Sequence, residues 1–565
     1  MKNQSIGYLV GGGLKESFRV RLTVPSQEVQ EGAFTVIRSG EWQYYGIVTD
    51  IQLGATDPRF ADEQTEMRFP PALANALHGQ TLYTNLEILP TLMLDVGPEP
   101  DSDVYSAWVQ EIDSGARDEP RPRPVKNIPP HHAQVTLASA GDIDEIFGKD
   151  EDGNFEIGTT REQGHPVRIN LDTFVQRSSG VFGATGTGKS FLTRIILAGL
   201  IDHSAASVLV LDMHNEYGFD DTATDTGKTV AGLKTLFGNK VQIVGLGAGT
   251  NIRGANPDFH LEIAMGDIQP SDVLMLTRTL NLRETTPTVL SALQRTFKKN
   301  WFKAFSQMLN GAMSEIEDEN GRIKKVPAPE SIAFWANENG INVMAAEALH
   351  SKLGRLFNAP YISEKPAADS VKQMVDNLDN GKHVILSFGK HDSDLDYLLV
   401  SNLLTRKISS VWEKRVNDFR THGKDEPRHL ILVVEEAHKL LSREMASQTT
   451  FATIAREMRK YYVTLMIVDQ RPSQIYDEVM SQLGTRISGW LGDDDDIRAV
   501  LSGLAGREAL RGMLARLQPK EEVLLLGWGV PMPLPVKSRR YDDDFVRELR
   551  GGKKRKRDPL KEMGF

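Results

Sequence analysis

Apolar and polar positions alternate in short runs along the first part of the chain. Ser17-Phe18-Arg19-Val20-Arg21-Leu22-Thr23-Val24 puts every second side chain on an apolar face, the period of a half-buried strand. Phe34-Thr35-Val36-Ile37 and the stretch from Trp42 to Ile51 continue the pattern, with Gly32, Gly40 and Gly46 as punctuation. Thr81 to Leu94 supplies another strand or two. Strand-length runs at this spacing predict a small β-barrel or sandwich. Residues 96–130 break it with Pro98, Pro100, Pro120, Pro122, Pro124, Pro129 and Pro130 among many charges, as in an irregular excursion or a linker. Residues 134–172 return to short apolar segments ending in Val167-Arg168-Ile169-Asn170-Leu171. The pattern predicts one β-rich N-terminal domain over 1–165, with the Pro-rich segment 96–130 inserted in it.

From residue 166 the periodicity changes. Strand-like and helical patterns alternate, as in an α/β domain on a parallel sheet, here over 166–545. Strands are expected at Ser207–Asp212, Val241–Val244, His383–Ser387, His429–Val434, Val463–Val468 and Glu522–Leu526. Several are continuous aliphatic runs, as when both faces of a sheet are covered. Residues of about 257–378 interrupt the alternation. There Leu290, Leu293, Phe297, Trp301, Phe305 and Met308 recur at helical spacing, as do Leu349, Leu353 and Leu356, which predicts a helical insertion with an apolar core stripe. Glu315 to Lys325 reads as a charged surface loop within it. The end, 546–565, is a tail carrying Lys553-Lys554-Arg555-Lys556-Arg557, either a solvated end or a contact for nucleic acid or an acidic partner.

Composition narrows the class. A chain of 565 residues exceeds one ordinary core, so about two to four folding units are expected. Its 40% hydrophobic and 25% charged residues are those of a water-soluble globular protein. Having no cysteine, the chain cannot use disulfides, thiolate metal ligands or a cysteine nucleophile, which fits a cytoplasmic location. Its N-terminus lacks a signal-peptide core and no apolar run approaches a membrane span. The formal net charge of −10 argues against a uniformly basic nucleic-acid coat, but leaves local basic surfaces open.

One stretch carries chemistry outright. Gly183-Ala184-Thr185-Gly186-Thr187-Gly188-Lys189-Ser190 has the glycine, four residues and Gly-Lys-Ser of a phosphate-binding loop. Val181 and Phe182 lead in as a strand; Phe191, Leu192, Ile195, Ile196 and Leu200 follow at helical spacing. Glycines let backbone amides point at phosphate oxygens, and the helix N-terminus adds its positive dipole end. Lys189 is expected to reach the β/γ-phosphates and the Ser190 hydroxyl to ligate Mg²⁺, with Gly183 to Phe191 forming the nucleotide site.

Three further stretches surround a nucleotide chemically. Leu430-Ile431-Leu432-Val433-Val434-Glu435-Glu436-Ala437-His438 is an apolar strand delivering two carboxylates at its C-terminal end, the edge where open α/β sheets bind ligands. Glu435 is expected to hold Mg²⁺, directly or through water, and Glu436 to polarise the attacking water. Thr464 to Ser473 is a second apolar strand ending in Gln470, placed to sense the γ-phosphate or orient the water. Leu211-Asp212-Met213-His214-Asn215-Glu216-Tyr217-Gly218 puts Asp212 and Glu216 at the same kind of edge, facing metal, nucleotide or a neighbouring subunit. Arg456 or Arg459, in Arg456-Glu457-Met458-Arg459-Lys460, could stabilise the transition state of another subunit; an exposed charged helix face would read the same.

The P-loop, Asp212 to Tyr217, Glu-Glu-Ala-His and Asp-Gln-Arg-Pro-Ser, in that order, resemble the HerA family of hexameric DNA-translocating ATPases in the HerA/FtsK group. Gly7-Tyr8-Leu9-Val10 and Tyr45-Gly46-Ile47-Val48 resemble its N-terminal barrel, so that the likeness spans about 1–540. The resemblance implies a RecA-like ATPase domain, ATP and Mg²⁺, a ring homohexamer, duplex DNA in its pore, and coupling to a nuclease such as NurA or another effector, in DNA end processing or defence. It also implies that Lys189, Ser190, Glu435, Glu436, Gln470 and Arg459 are the functional positions. Met458 departs from the family, which commonly has glycine there, so Arg456 stays beside Arg459 as a candidate.

Two classes of function fit these residues: a motor that moves DNA, and an ATP-gated scaffold that activates a partner without processive movement. A monomeric two-lobed helicase would need a second lobe with its own arginine motifs. A GTPase is disfavoured, since Asn239-Lys240 is followed by Val241-Gln242 rather than the aspartate that reads guanine.

Overall fold

The computed structural model describes residues 5–56, 82–99, 101–151, 153–222, 227, 229–317, 323–391, 393–423, 425–446 and 449–551. These form two compact units. One comprises 1–196, 470–473 and 483–540; the other comprises 197–469, 474–482 and 541–565.

The first unit opens with a closed barrel. Its strands run in the order Phe18–Leu22, Ser5–Gly11, Gln134–Leu137, Phe34–Ser39, Trp42–Ala55 and Leu82–Asp95, and the last pairs back onto the first (Phe18 opposite Ile88, Val20 opposite Leu86). Closure removes free sheet edges, and the alternating side chains fill the interior with Phe18, Val20, Ile37, Val48, Leu86, Ile88 and Val135. The expected barrel is present, and the one or two strands expected from Thr81 to Leu94 are the single strand Leu82–Asp95, Thr81 lying outside the described residues. The Pro-rich segment is more ordered than its composition suggests. It holds the helix Tyr105–Asp113 and the short strand Arg123–Pro124, which pairs with Leu92 and Met93. Proline is tolerated there because it sits on an edge strand.

The barrel ends earlier than residue 165. Asn154–Thr159 and Pro166–Asn170 form a hairpin on a different sheet, beside Leu534–Ser538. That sheet continues through Glu522–Gly527 and Thr485–Ser488 to Ser179–Phe182, the strand before the P-loop. Glu522–Leu526 is therefore a strand as expected, but an antiparallel one.

The second unit contains a parallel sheet ordered Phe259–Leu261, Val241–Leu246, His383–Ser387, Ser207–Asp212, Leu430–Glu435 and Val463–Asp469. Four of these strands, His383–Ser387, Ser207–Asp212, Leu430–Glu435 and Val463–Asp469, are buried at every position, as their largely aliphatic runs demanded. Long connections between parallel strands are helical, the largest being Asp394–His422.

Residues 257–378 are not purely helical. Phe259–Leu261 belongs to the parallel sheet, and Ser370–Asp379 leads into the strand His383–Ser387. Between them lie Pro270–Leu274, Thr286–Phe297, Trp301–Gln307, Ile332–Glu338 and Val343–Phe357, packed around Leu290, Leu293, Trp301, Phe305, Leu349, Leu353 and Leu356. The charged stretch from Glu315 is a β-hairpin rather than a loop: Met313–Glu317 pairs with Ile323–Pro327, placing Glu315 opposite Lys325. Opposite charges directly across an antiparallel pair favour that register. At the C-terminus Asp543–Gly551 is helical, and the basic run Lys553–Arg557 lies outside the described residues. Among the described residues no helix is long and apolar enough to cross a membrane.

Candidate active site

The phosphate loop is built by the residues next to it in sequence. Ser179–Phe182 is fully buried, and the chain leaves it at Gly183, where a Cβ would lie 2.6 Å from Thr187 Oγ1. The Thr187 hydroxyl donates to the Ala184 carbonyl at 2.7 Å and its amide to the same oxygen at 3.2 Å, closing a tight turn. Gly186 and Gly188 take φ of +78° and +87°, conformations that side chains other than glycine's disfavour. Around Gly186 the space a Cβ would take is open, and among the described residues the Gly186 and Gly188 amides have no partner. An open cradle with unsatisfied amides fits a polyphosphate. Lys189 and Ser190 open the helix Lys189–Asp202 and are half-buried.

Three contacts fix the loop. Ala184 N–H donates to Trp490 O at 3.0 Å, Gly489 N–H to Phe182 O at 2.9 Å, and Lys520 N–H to Thr187 O at 3.2 Å. The Thr185 hydroxyl donates to Gln470 Oε1 at 2.6 Å, so Gln470 reaches the P-loop. Phe191 is 37% exposed on the first helical turn, with the Arg194 guanidinium 5.7 Å from its ring centre.

In the second unit, Leu430–Glu435 delivers Glu435 at its end with 5% exposure. A carboxylate this buried needs partners. The Tyr217 phenol donates to Glu435 Oε1 at 2.6 Å, and the Tyr397 phenol donates to the Glu435 main-chain oxygen at 2.8 Å. Burial, then the charge of Glu435, holds the pKa of both phenols well above 10, so both remain donors. Sequence reasoning gave neither tyrosine a role, although Tyr217 closes the quoted Asp212 motif.

Asp212 works locally. Its Oδ1 accepts from the Glu216 amide at 2.8 Å and its Oδ2 from the Tyr217 amide at 3.0 Å. It thereby folds the turn that aims Tyr217, helped by Asn215, which stands at φ +59° with its side chain accepting from the Ser387 hydroxyl. Glu216 lends that turn its amide.

Glu436 follows at φ +46°, a left-handed conformation that costs a non-glycine residue about 1 kcal/mol or more. Such strain concentrates at functional sites. Its Oε2 lies 3.6 Å from His438 Nδ1. His438 donates twice to Asp469 Oδ2, from its amide at 2.8 Å and from Nδ1 at 3.0 Å, and Asp469 is fully buried. The Asp469 hydrogen bond raises the His438 pKa against the opposing effect of burial. The signal for this pair, Asp469 immediately before Gln470 and His438 within Glu-Glu-Ala-His, was in the sequence without being read as a contact.

The arginines separate. Arg456 is engaged with Glu478 at 3.1 Å in an exposed ion pair. Arg459 sits in the short 3₁₀ turn Met458–Tyr461, exposed, and among the described residues its guanidinium meets no carboxylate. Met458 is buried and anchors that turn.

Among the described residues no three His, Asp or Glu side chains cluster as a metal cage. Mg²⁺ carried by nucleotide phosphates needs no such cage, only one or two protein oxygens.

Residues 155–408 match the family described as Helicase HerA, central domain. The DNA double-strand break repair helicase HerA of Sulfurisphaera tokodaii is 23% identical over 541 residues, spanning 95% of this chain and 93% of that protein. Its namesake from Saccharolobus solfataricus is 22% identical over 554 residues, with 96% and 93% covered. Among solved structures, the bacterial conjugative coupling protein TrwBdeltaN70 overlaps 71% of this chain and 92% of its own at 13% identity and a TM-score of 0.45, too loose to bear on function. The match over 155–408, the near full-length relatives, the P-loop and the strand end at Glu435 agree: this chain has the fold of a RecA-like P-loop ATPase with an N-terminal β-barrel, and it is similar to the HerA family.

Proposed function

We propose that this protein is an ATP-driven DNA translocase that works as a homohexameric ring with duplex DNA in its pore and feeds a nuclease of NurA type during DNA end processing. The observation that carries the catalytic part is Glu435, a buried carboxylate at a parallel strand end clasped by Tyr217, in a chain that also has an open P-loop. What supports the DNA part is likeness: relatives named as DNA double-strand break repair helicases align along nearly the whole chain.

In this reading the P-loop amides and Lys189 bind the triphosphate and neutralise its charge. Ser190 and Glu435 would hold Mg²⁺, which would supply further charge neutralisation. Glu436 accepts a hydrogen bond from the attacking water and aligns it. Gln470 reports the γ-phosphate, and Arg459, offered to the next copy in the ring, stabilises the transition state. Arg459 is preferred over Arg456, whose charge is already engaged by Glu478.

The test is ATP hydrolysis with and without duplex DNA, together with displacement of a DNA-bound block. DNA-stimulated hydrolysis and block displacement are expected, both lost in Lys189→Ala, whereas Glu436→Gln is expected to stop displacement and keep only a residual, measurable hydrolysis. Hydrolysis without DNA binding or displacement would overturn the motor. If Glu436→Gln still assembled and fully activated a partner nuclease, an ATP-gated scaffold would replace it. Particle mass by native mass spectrometry tests the ring directly, and a persistent monomer would remove Arg459 from the mechanism.

A further inference from the structure

Glu436 has an aiming problem. Its backbone is left-handed at φ +46°, and its carboxylate stands in a crowd of like charge. Asp212, Glu435, Glu436 and Asp469 all bear on the buried Tyr397 hydroxyl. Four carboxylates converging on one low-dielectric place repel one another, and each rotates away unless something holds it.

An imidazole stands among them. His438 lies 3.6 Å from Glu436 Oε2 and 3.0 Å from Asp469 Oδ2. Lys439, the next residue, is turned elsewhere: its ammonium is spent on Asp394 at 2.8 Å. The His438 ring cannot swing freely, because Asp469 takes its amide as well as Nδ1. Asp469 in turn is fully buried, where a carboxylate holds its charge only with donors in place. The two residues lock each other, and the locked ring keeps its Nδ1 3.6 Å from Glu436 Oε2.

We propose that His438, fixed by Asp469, is a positioning residue that holds the Glu436 carboxylate in the orientation needed to align the attacking water. This rests on the reading above, that Glu436 serves ATP hydrolysis. His438 touches neither nucleotide nor water in this scheme; it acts through Glu436 alone. A carboxylate released from that hold still exists but points wrongly for part of the time. A misplacement of about 1 Å costs a catalysed reaction roughly 100-fold.

The experiment is single-turnover and steady-state ATP hydrolysis by the full chain, with nucleotide affinity measured separately using a fluorescent ATP analogue. His438→Ala is expected to lower kcat by roughly 10- to 100-fold while the KM for ATP and the analogue affinity stay within about twofold. His438→Asn, whose amide can still donate to Asp469, is expected to recover part of the loss. Asp469→Asn is expected to resemble His438→Ala. In a Glu436→Gln background, His438→Ala is expected to cost nothing further, because the group it positions is already gone.

Several results would overturn the inference while leaving the ATPase reading intact. They are an active wild type with His438→Ala at wild-type kcat; equal losses from His438→Ala in the wild-type and Glu436→Gln backgrounds; and a loss confined to nucleotide affinity or thermal stability. A wild-type protein without hydrolysis would instead overturn the ATPase reading, and this inference with it.

Discussion

Replacing Tyr217 by phenylalanine removes one oxygen from a buried site and leaves the ring in place. That oxygen donates to Glu435 Oε1 at 2.6 Å, with Tyr217 0% and Glu435 5% exposed. A hydrogen bond to a charged acceptor contributes about 1.5–3 kcal/mol net, and a buried acceptor stripped of its donor adds desolvation cost. Taking about 2 kcal/mol, and about 2 °C per kcal/mol for a large unit, the apo protein should melt about 4 °C lower. The Tyr397 phenol offers an internal standard. It donates to the Glu435 main-chain oxygen, a neutral acceptor, at 2.8 Å, so Tyr397→Phe should cost about half as much. The proposed role of Glu435 adds a second readout: a carboxylate no longer clasped should require more Mg²⁺ for half-maximal ATP hydrolysis. Scanning calorimetry and a Mg²⁺ titration of ATPase rate measure both effects. If Tyr217→Phe melts with the wild type and titrates Mg²⁺ identically, the phenol does not hold Glu435. If Tyr397→Phe proves the costlier of the two, the distinction between charged and neutral acceptor has failed.

Gly183→Ala would put a methyl group 2.6 Å from Thr187 Oγ1, forcing open the turn that closes the P-loop; titration with a fluorescent ATP analogue should show at least a tenfold loss of affinity, partly recovered in Gly183→Ala/Thr187→Ala. Arg459→Ala should lower ATPase turnover by roughly 1,000-fold with nucleotide affinity kept, whereas Arg456→Ala, which breaks only an exposed ion pair, should change stability by less than about 1 kcal/mol and leave turnover near wild type. His383 begins a buried strand, and burial, reinforced by Lys240 and Arg428, lowers its pKa from 6.5 to about 4. Above pH 6.5 neither folded nor unfolded chain protonates it; below that only the unfolded chain does, so stability drains away as pH falls towards 4, by about 3 kcal/mol in total. Urea unfolding at pH 7 and pH 4.5 should therefore show a smaller acid-induced loss in His383→Leu than in the wild type, and equal losses would refute this account.

Contiguous chemistry was legible in the chain. The P-loop needs eight neighbours in order, and its glycines sit where the backbone turns left-handed at Gly186 and Gly188. The strand ending at Glu435 announced itself because a run buried on both faces must be apolar throughout, and all six of its residues are buried. The barrel strands showed for the complementary reason, alternation on a sheet with one face inward. The helix Tyr105–Asp113 inside the Pro-rich segment and the hairpin Met313–Glu317 with Ile323–Pro327 were hidden, since the composition around the first and the charges of the second argued for irregular chain.

The sequence by itself determined that this chain carries a P-loop, and which strand carries the acidic pair. Only the tertiary structure decided how those groups are held. Tyr217 reaches Glu435 across 218 residues, His438 meets Asp469 across 31, and Thr185 meets Gln470 across 285. The first two meetings depend on strand order: Leu430–Glu435 lies between Ser207–Asp212 and Val463–Asp469, an adjacency that no periodicity within a strand encodes. Hydrophobic pattern fixes which face of an element is buried; which side chain then neutralises a buried charge is settled by the neighbours that folding supplies.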